Sequence, residues 1–246
     1  MKRAFQDFHS ATPRRDLPVH GLARARRELQ ERLFEAYTGL LETQVKDLSY
    51  WAAQPARVAA AYDGALDAAR AVECHEEDVA AFCDTLGRAQ GLAYAISGPG
   101  GIFLSALVNR APEPHLTLRL RGHRRMLSFL GYRLAEGKTL VLEGDAGDFT
   151  GGELAGGRLV VTGATGDGCG TGMMGGEIEV RGHAGERTGE RMTGGSLHVG
   201  GQIRGLRGTA QGGNIYRGGR LIHCTFPSIP LLEELVSKAG PARAGP

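Results

Sequence analysis

The stretch "GGEIEVRGHAGERTGERMTGGSLHVGG", from Gly175 to Gly201, repeats a pattern that recurs along the second half of the chain. Short alternating runs such as "EIEV" and "SLHV" lie between glycines. The glycines that close successive runs are spaced by 19, 19, 19 and 18 residues. They are Gly144, Gly163, Gly182, Gly201 and Gly219. A fixed period of this length indicates one structural unit per repeat.

Each repeat places two apolar residues at alternate positions, which indicates a strand with one buried face. These pairs are Leu140 and Leu142, Leu159 and Val161, Ile178 and Val180, and Leu197 and Val199. A repeat of this length is too short for a strand, a full helix and two loops. It therefore predicts a parallel β-helix of about five coils, stacked about 4.8 Å apart.

The glycines between the strands are predicted to shape the corners, either by adopting positive φ or by letting adjacent coils approach closely. The candidate corner glycines are Gly144, Gly147, Gly151, Gly163, Gly166, Gly170, Gly182, Gly185 and Gly189. The run "GATGDGCGTG", from Gly163 to Gly172, resembles a phosphate-binding loop only superficially. It lacks the Gly-Lys-Ser/Thr ending and the following helix that such loops need, so we expect no cofactor there.

The composition changes near residue 112, because 29 of the 39 glycines fall between Gly122 and Gly219. Apolar residues before that point recur at helical spacing. The predicted helices are 22–46, 56–71 and 76–95, the last ended by "SGPGG" at 97–101, while 102–108 fits helix or strand. We expect an α+β multidomain chain. Its predicted parts are an α-helical domain (1–112), a β-helix (113–225) and a capping helix with a loose tail (226–246).

The charge balance and the apolar runs exclude several classes of partner. The formal net charge is only +2, so we expect neither nucleic acid nor an anionic membrane as partner. No signal peptide or membrane-spanning run is evident in the sequence. The four cysteines form no CxxC pair and are predicted to be free thiols in a reducing cytoplasm.

The segment from Leu134 to Ile222 resembles the GXGXG β-helix domain. That domain forms the C-terminal part of the glutamate synthase large subunit and most of one subunit of formylmethanofuran dehydrogenase. The likeness is carried by "GDAGDFTGGELAGGRLVVTG", "GCGTGMMGGEIEVRGHAGERTGERMTGG" and "GGQIRG". The resemblance implies a right-handed β-helix with an architectural role and no catalytic residue. The helical first half matches neither enzyme.

Three groups of residues are candidates for chemistry or binding. "ECHEED", from Glu73 to Asp78, offers too few ligands for a metal and fits the acidic start of a helix. Cys169 is a nucleophile only if a base lies close. Three arginines, joined by Arg204 and Arg207, form a basic strip that fits an acidic partner facing it, an anionic cofactor, or simply solvated corners of the coils. These three are Arg181, Arg187 and Arg191.

Two functions follow, and the sequence leaves both open. In the first, the chain is a non-catalytic structural or assembly subunit of a multi-subunit redox enzyme, bound to other subunits or to its own copies. In the second, it is a stand-alone, hydrolase-like enzyme with a site where the helical half meets the first coils. The candidate residues for that site are Ser105, Asn109, His115 and His123.

Overall fold

The computed structural model describes residues 18–44, 54–70, 72–89, 93–206 and 210–224. Four helices precede seven strands in this part of the chain. The helices are α1 (Pro18–Gln44), α2 (Pro55–Arg70), α3 (Glu76–Arg88) and α4 (Ala93–Arg110). The strands are β1 (His115–Arg119), β2 (Thr139–Glu143), β3 (Ala155–Val161), β4 (Gly175–Val180), β5 (Thr193–Val199), β6 (Gly212–Arg217) and β7 (Arg220–Cys224).

The strands form one sheet in sequence order, and each neighbouring pair from β1 to β6 is parallel. The alternating apolar residues stack from coil to coil in register, because Leu159 pairs with Leu140 on one side and Ile178 on the other. All three side chains are fully buried. The predicted parallel β-helix with strands of period two is therefore confirmed.

The solenoid has about four turns, fewer than the predicted five. The connection from β5 to β6 includes residues 207–209, which lie outside the described part of the chain. The segment after it, which the sequence predicted to be the fifth coil, becomes one arm of a hairpin. Strand β7 pairs with β6 in antiparallel fashion, and Gly218 and Gly219 between them have positive φ, as a tight hairpin turn requires.

Helices α1 and α2 follow their predicted ranges closely, but the third predicted helix is wrong. The prediction ran to residue 95, but α3 ends at Arg88. The "SGPGG" run lies inside a separate helix, α4, instead of ending the third helix. Close packing explains the difference, since a Cβ on Gly101 would lie 1.7 Å from the Ser128 carbonyl oxygen. The Ser97 carbonyl also accepts a hydrogen bond from the Ser128 N–H. The undecided run 102–108 is helical and buried on all sides.

The helical segment and the solenoid share one continuous hydrophobic core that runs from α1 to β6. Helix α3 contacts β1, the first strand of the sheet. There the Glu76 carboxylate accepts a hydrogen bond of 2.9 Å from the Thr117 backbone N–H. An outer strand of a sheet exposes unpaired backbone groups, and this contact covers that edge. The predicted boundary at residue 112 falls between α4 and β1, whereas the predicted capping helix in 226–246 lies outside the described residues.

Among the described helices, none combines the length and apolar character that crossing a bilayer would need.

We expect Gly170→Ala to destabilise the fold by about 3 kcal/mol, because Gly170 has a φ of 68° and its new Cβ would lie 2.6 Å from Leu197 Cδ1. Gly21→Ala is the matched control, since nothing lies within 4 Å of a Cβ at that position in α1. That change should leave stability equal or raise it by about 0.5 kcal/mol. Urea unfolding of both variants measures the difference, and equal effects would contradict the assigned corner.

Candidate functional site

Each coil turns through three alternate positions with positive φ. In one coil these are Gly168, Gly170 and Gly172, at 70°, 68° and 67°. The carbonyls of Gly168 and Gly170 each accept a hydrogen bond from the N–H three residues on, as in consecutive type II turns. We call the full set of such positions the turn ladder. It comprises Phe129, Gly131, Arg133, Phe149, Gly151, Glu153, Gly168, Gly170, Gly172, Arg187, Gly189 and Arg191.

Half of the turn ladder consists of residues other than glycine, although positive φ is unfavourable for them. All non-glycine residues with positive φ in the described part of the chain belong to it. Each such residue costs about 1–3 kcal/mol, and strain of this kind clusters at functional sites. The strain therefore singles out this corner of the solenoid. The period of 19 aligns Phe149 with Gly168 and Arg187, but it does not show that the backbone is left-handed at the larger residues.

A cleft of about 360 Å³ lies along the turn ladder, with Pro55 and Val58 of α2 in its wall. Phe129 and Phe149 stack with ring centroids 5.0 Å apart and line the cleft on the solenoid side. The other lining residues are Tyr132, Gly152, Glu153, Thr171, Gly172, Met174, Arg191 and Thr193. The cleft is thus mainly apolar, with a few polar groups, as is typical of small-molecule sites.

Glu153, the one carboxylate among the described residues of the cleft wall, is already neutralised. Arg133 Nε donates a 2.9 Å hydrogen bond to Glu153 Oε2, and Arg133 Nη1 lies 3.6 Å from Asp63 Oδ1. The Arg133 guanidinium also lies over the rings of Tyr62 and Tyr132. Arg191, in contrast, is exposed and makes no ion pair within the described residues. The cleft therefore carries one cation without a counter-charge.

Two side chains of the cleft wall hold buried hydroxyls. Thr171 Oγ1 has no hydrogen-bond partner in the described structure, whereas Tyr132 Oη faces the Glu153 carboxylate, which can accept from it. Burial raises the pKa of Tyr132, and the nearby Glu153 carboxylate raises it further. The phenol therefore stays protonated at neutral pH and can donate. A buried polar group without a partner is costly, so the Thr171 hydroxyl favours a ligand or a rearrangement that satisfies it.

The predicted corner glycines fall into two groups with different physical roles. Gly151, Gly170 and Gly189 belong to the turn ladder, and Gly144 has a φ of 132°. The remaining five allow close approach of neighbouring segments; for example, a Cβ on Gly182 would lie 2.6 Å from the Gly163 carbonyl oxygen. These five are Gly147, Gly163, Gly166, Gly182 and Gly185.

Acidic side chains between the strands link successive coils, a role that was not predicted from the sequence. Asp148 Oδ1 accepts a hydrogen bond from the Asp167 N–H, and Asp167 Oδ1 accepts one from the Glu186 N–H, both at 2.8 Å. Asp145 Oδ1 and His183 Nδ1 accept equivalent bonds from the next coil. The recurrence of an acid at 148, 167 and 186 was the available signal.

The four residues proposed for an enzymatic site are not brought together. Ser105 Oγ bonds to the backbone of Gly101 and Phe129, and Asn109 bonds to the backbone of Arg133 and Ala135. His115 is exposed at the start of β1. His123 is buried beside Gly87, with Nε2 3.6 Å from Asp84 Oδ1 and no hydrogen bond to either ring nitrogen in the described structure. None of the four lines the cleft.

The remaining polar candidates have structural surroundings. Cys169 is fully buried, and burial raises the pKa of its thiol to about 11, which disfavours the nucleophilic thiolate. In "ECHEED", the Asp78 carboxylate accepts a hydrogen bond from the His75 N–H at the start of α3. His75 Nδ1 lies 2.6 Å from Glu113 Oε1. Both arrangements serve the fold.

The three arginines predicted to face a partner occupy different places. Arg181 follows β4 and lies 3.4 Å from Glu179 Oε1, whereas Arg187 and Arg191 belong to the turn ladder. Arg187 lies over the Phe149 ring, with 5.5 Å between its guanidinium carbon and the ring centroid. Arg204 is exposed, and Arg207 lies outside the described residues.

A more concentrated basic surface lies at residues 121–126, which we call the arginine loop. Arg121, Arg124 and Arg125 are all exposed, and none makes an ion pair within the described chain. Met126 is 56% exposed beside them. The loop borders a cavity of about 470 Å³ together with Asp145 and Thr162. The basic character of this run was not predicted from the sequence, although His123 within it was a candidate for the enzymatic site.

Comparison with protein-family models, with curated proteins and with solved structures finds no match to this chain.

We expect Thr171→Val to raise the free energy of unfolding by about 1 kcal/mol, because the change removes a buried hydroxyl without a partner. Thr188→Val is the matched control, since the Thr188 hydroxyl donates to the Gly185 carbonyl at 3.0 Å. Its loss should lower the free energy of unfolding by about 1 kcal/mol. Denaturant titration compares the two; a loss of stability in Thr171→Val would show that its hydroxyl has a structural partner.

We expect Cys74, Cys83 and Cys169 to resist labelling by Ellman's reagent in the folded chain at pH 8. Burial raises the pKa of these thiols to about 11, 12 and 11, so each remains protonated well above neutral pH. All should react after denaturation. Mass spectrometry identifies the labelled residues, and rapid labelling of Cys169 in the folded state would revive its candidacy as a nucleophile.

Proposed function

We propose that the chain is a non-catalytic structural subunit of a multi-subunit redox enzyme in the cytoplasm. This is the role that the GXGXG resemblance implies, together with a right-handed winding of the solenoid. The observation that supports it is that the side chains capable of chemistry stabilise the fold. Ser105, Asn109, Asp148 and Asp167 bond to backbone groups, and Cys169 is buried.

The arginine loop supplies a surface suited to a protein partner. Arginine and methionine are enriched at protein interfaces, and both are exposed here. Three arginines without counter-charges favour a partner that presents carboxylates, since charge complementarity speeds association and excludes wrong partners. The loop is therefore our candidate docking surface within the assembly.

The enzymatic alternative stays open because of the cleft. It lies between α2 and a corner that runs from Phe129 to Thr193 across successive coils, whereas the hydrolase-like site predicted from the sequence lay at the first coils and comprised other residues. His123→Ala and Cys169→Ala test the residues that the sequence singled out, and Glu153→Gln tests the cleft itself. Loss of an activity in any of these variants, with the fold retained, would favour an enzyme over a scaffold.

Purification of the tagged full-length chain from its native cells tests the proposal. We expect other subunits to co-purify at fixed stoichiometry, together with flavin or iron–sulfur absorption. Replacing Arg121, Arg124 and Arg125 by glutamine should release them. The control replaces Arg204, Arg217 and Arg220 by glutamine. These arginines are also exposed, and their replacement removes the same charge. A chain that purifies alone, or equal losses in both triple variants, would contradict this account of docking.

A further inference from the structure

We propose that the cleft along the turn ladder binds a small carboxylate with a flat, apolar body. This ligand site goes beyond the assembly role proposed above and does not depend on it. The geometry points to the apolar part of the ligand first. The cleft volume of about 360 Å³ is within the range of small-molecule sites, and the stacked rings of Phe129 and Phe149 form an aromatic wall. A planar ring system fits against such a wall.

The polar groups that lack partners are donors, which identifies the charged end of the ligand. Among the described residues they are the Thr171 hydroxyl, in the wall, and the Arg191 guanidinium, exposed at the cleft. Glu153, the carboxylate of the cleft, already accepts from Arg133. The guanidinium can only donate and the hydroxyl can donate, so a ligand that brings acceptors satisfies both. A carboxylate matches the planar guanidinium of Arg191 and adds the missing negative charge.

The backbone supports the same assignment. Arg191 has a φ of 55°, and the equivalent residue one coil earlier, Gly172, adopts a similar φ of 67° without a side chain. The fold thus accepts glycine at this position, and arginine occupies it at a conformational cost. Phe149 and Glu153 lie at the cleft in the same strained conformation. These costs are concentrated where side chains line the cleft.

The test uses naphthoate as the probe and naphthamide as its uncharged counterpart, with affinity for the full chain measured by titration calorimetry. We expect naphthoate to bind at least tenfold more tightly than naphthamide, since one charge-assisted contact corresponds to about that factor. Equal affinity for the two probes, or no binding of naphthoate at millimolar concentration, would overturn the proposal.

Two variants locate the binding. Arg191→Gly should weaken naphthoate binding about tenfold while leaving thermal stability equal or higher, because it removes the guanidinium and the backbone strain together. Arg204→Gly is the control: it removes the same charge from an exposed position that does not line the cleft. Equal losses in the two variants would show a non-specific charge effect and overturn the assigned site.

Thr171→Val separates binding from folding. We expect it to weaken naphthoate binding about threefold while the thermal midpoint stays equal or rises, since the hydroxyl has no hydrogen-bond partner in the described structure to lose. Unchanged affinity would remove this hydroxyl from the site and contradict the donor set. Co-purification of partner proteins is a separate readout, so failure of the ligand site and failure of the assembly role are distinguishable.

Discussion

Left-handed backbone turns at three alternate positions in each coil are the constraint on which the rest of the structure depends. They reverse the chain so that Leu159 lies in register between Leu140 and Ile178, and the parallel sheet then satisfies the backbone of each inner strand. Glycine meets this demand at little cost, as at Gly170. Acidic side chains such as Asp167 strengthen the stack by bonding to the next coil.

The same constraint explains why the corner is the most informative surface of the molecule. Where the turn ladder carries Phe149, Glu153 and Arg191 instead of glycine, the chain holds large side chains in an unfavourable conformation. These side chains line a cleft closed on its other side by α2. Stability alone favours glycine at such positions, so their occupancy is the physical argument for a binding role at this corner.

The sequence predicted the features that depend on period and failed where tertiary contacts decide. Alternating apolar residues placed the strands, since one buried face requires period two. Pro99 and its flanking glycines predicted a helix break, yet the tight contact of Gly101 with Ser128 keeps them within α4. The cleft was not predictable in detail, because its walls come from α2 and from coils far apart in sequence. The ion pair of Arg133 with Glu153 also forms only when neighbouring coils stack.

Deletion of one whole coil tests the central claim most directly. Removing 177–195 joins Gly176 to Ser196, which is the register partner of Glu177, so the shortened chain keeps its coil-to-coil pairing. Each coil of a solenoid contacts only the coils next to it, so the loss of one whole coil is tolerated. We predict cooperative thermal unfolding and a native-like circular dichroism spectrum for this variant, but loss of both when only 177–186 is removed. Equal behaviour of the two deletions, whether both fold or both fail, would contradict a stack built from equivalent coils.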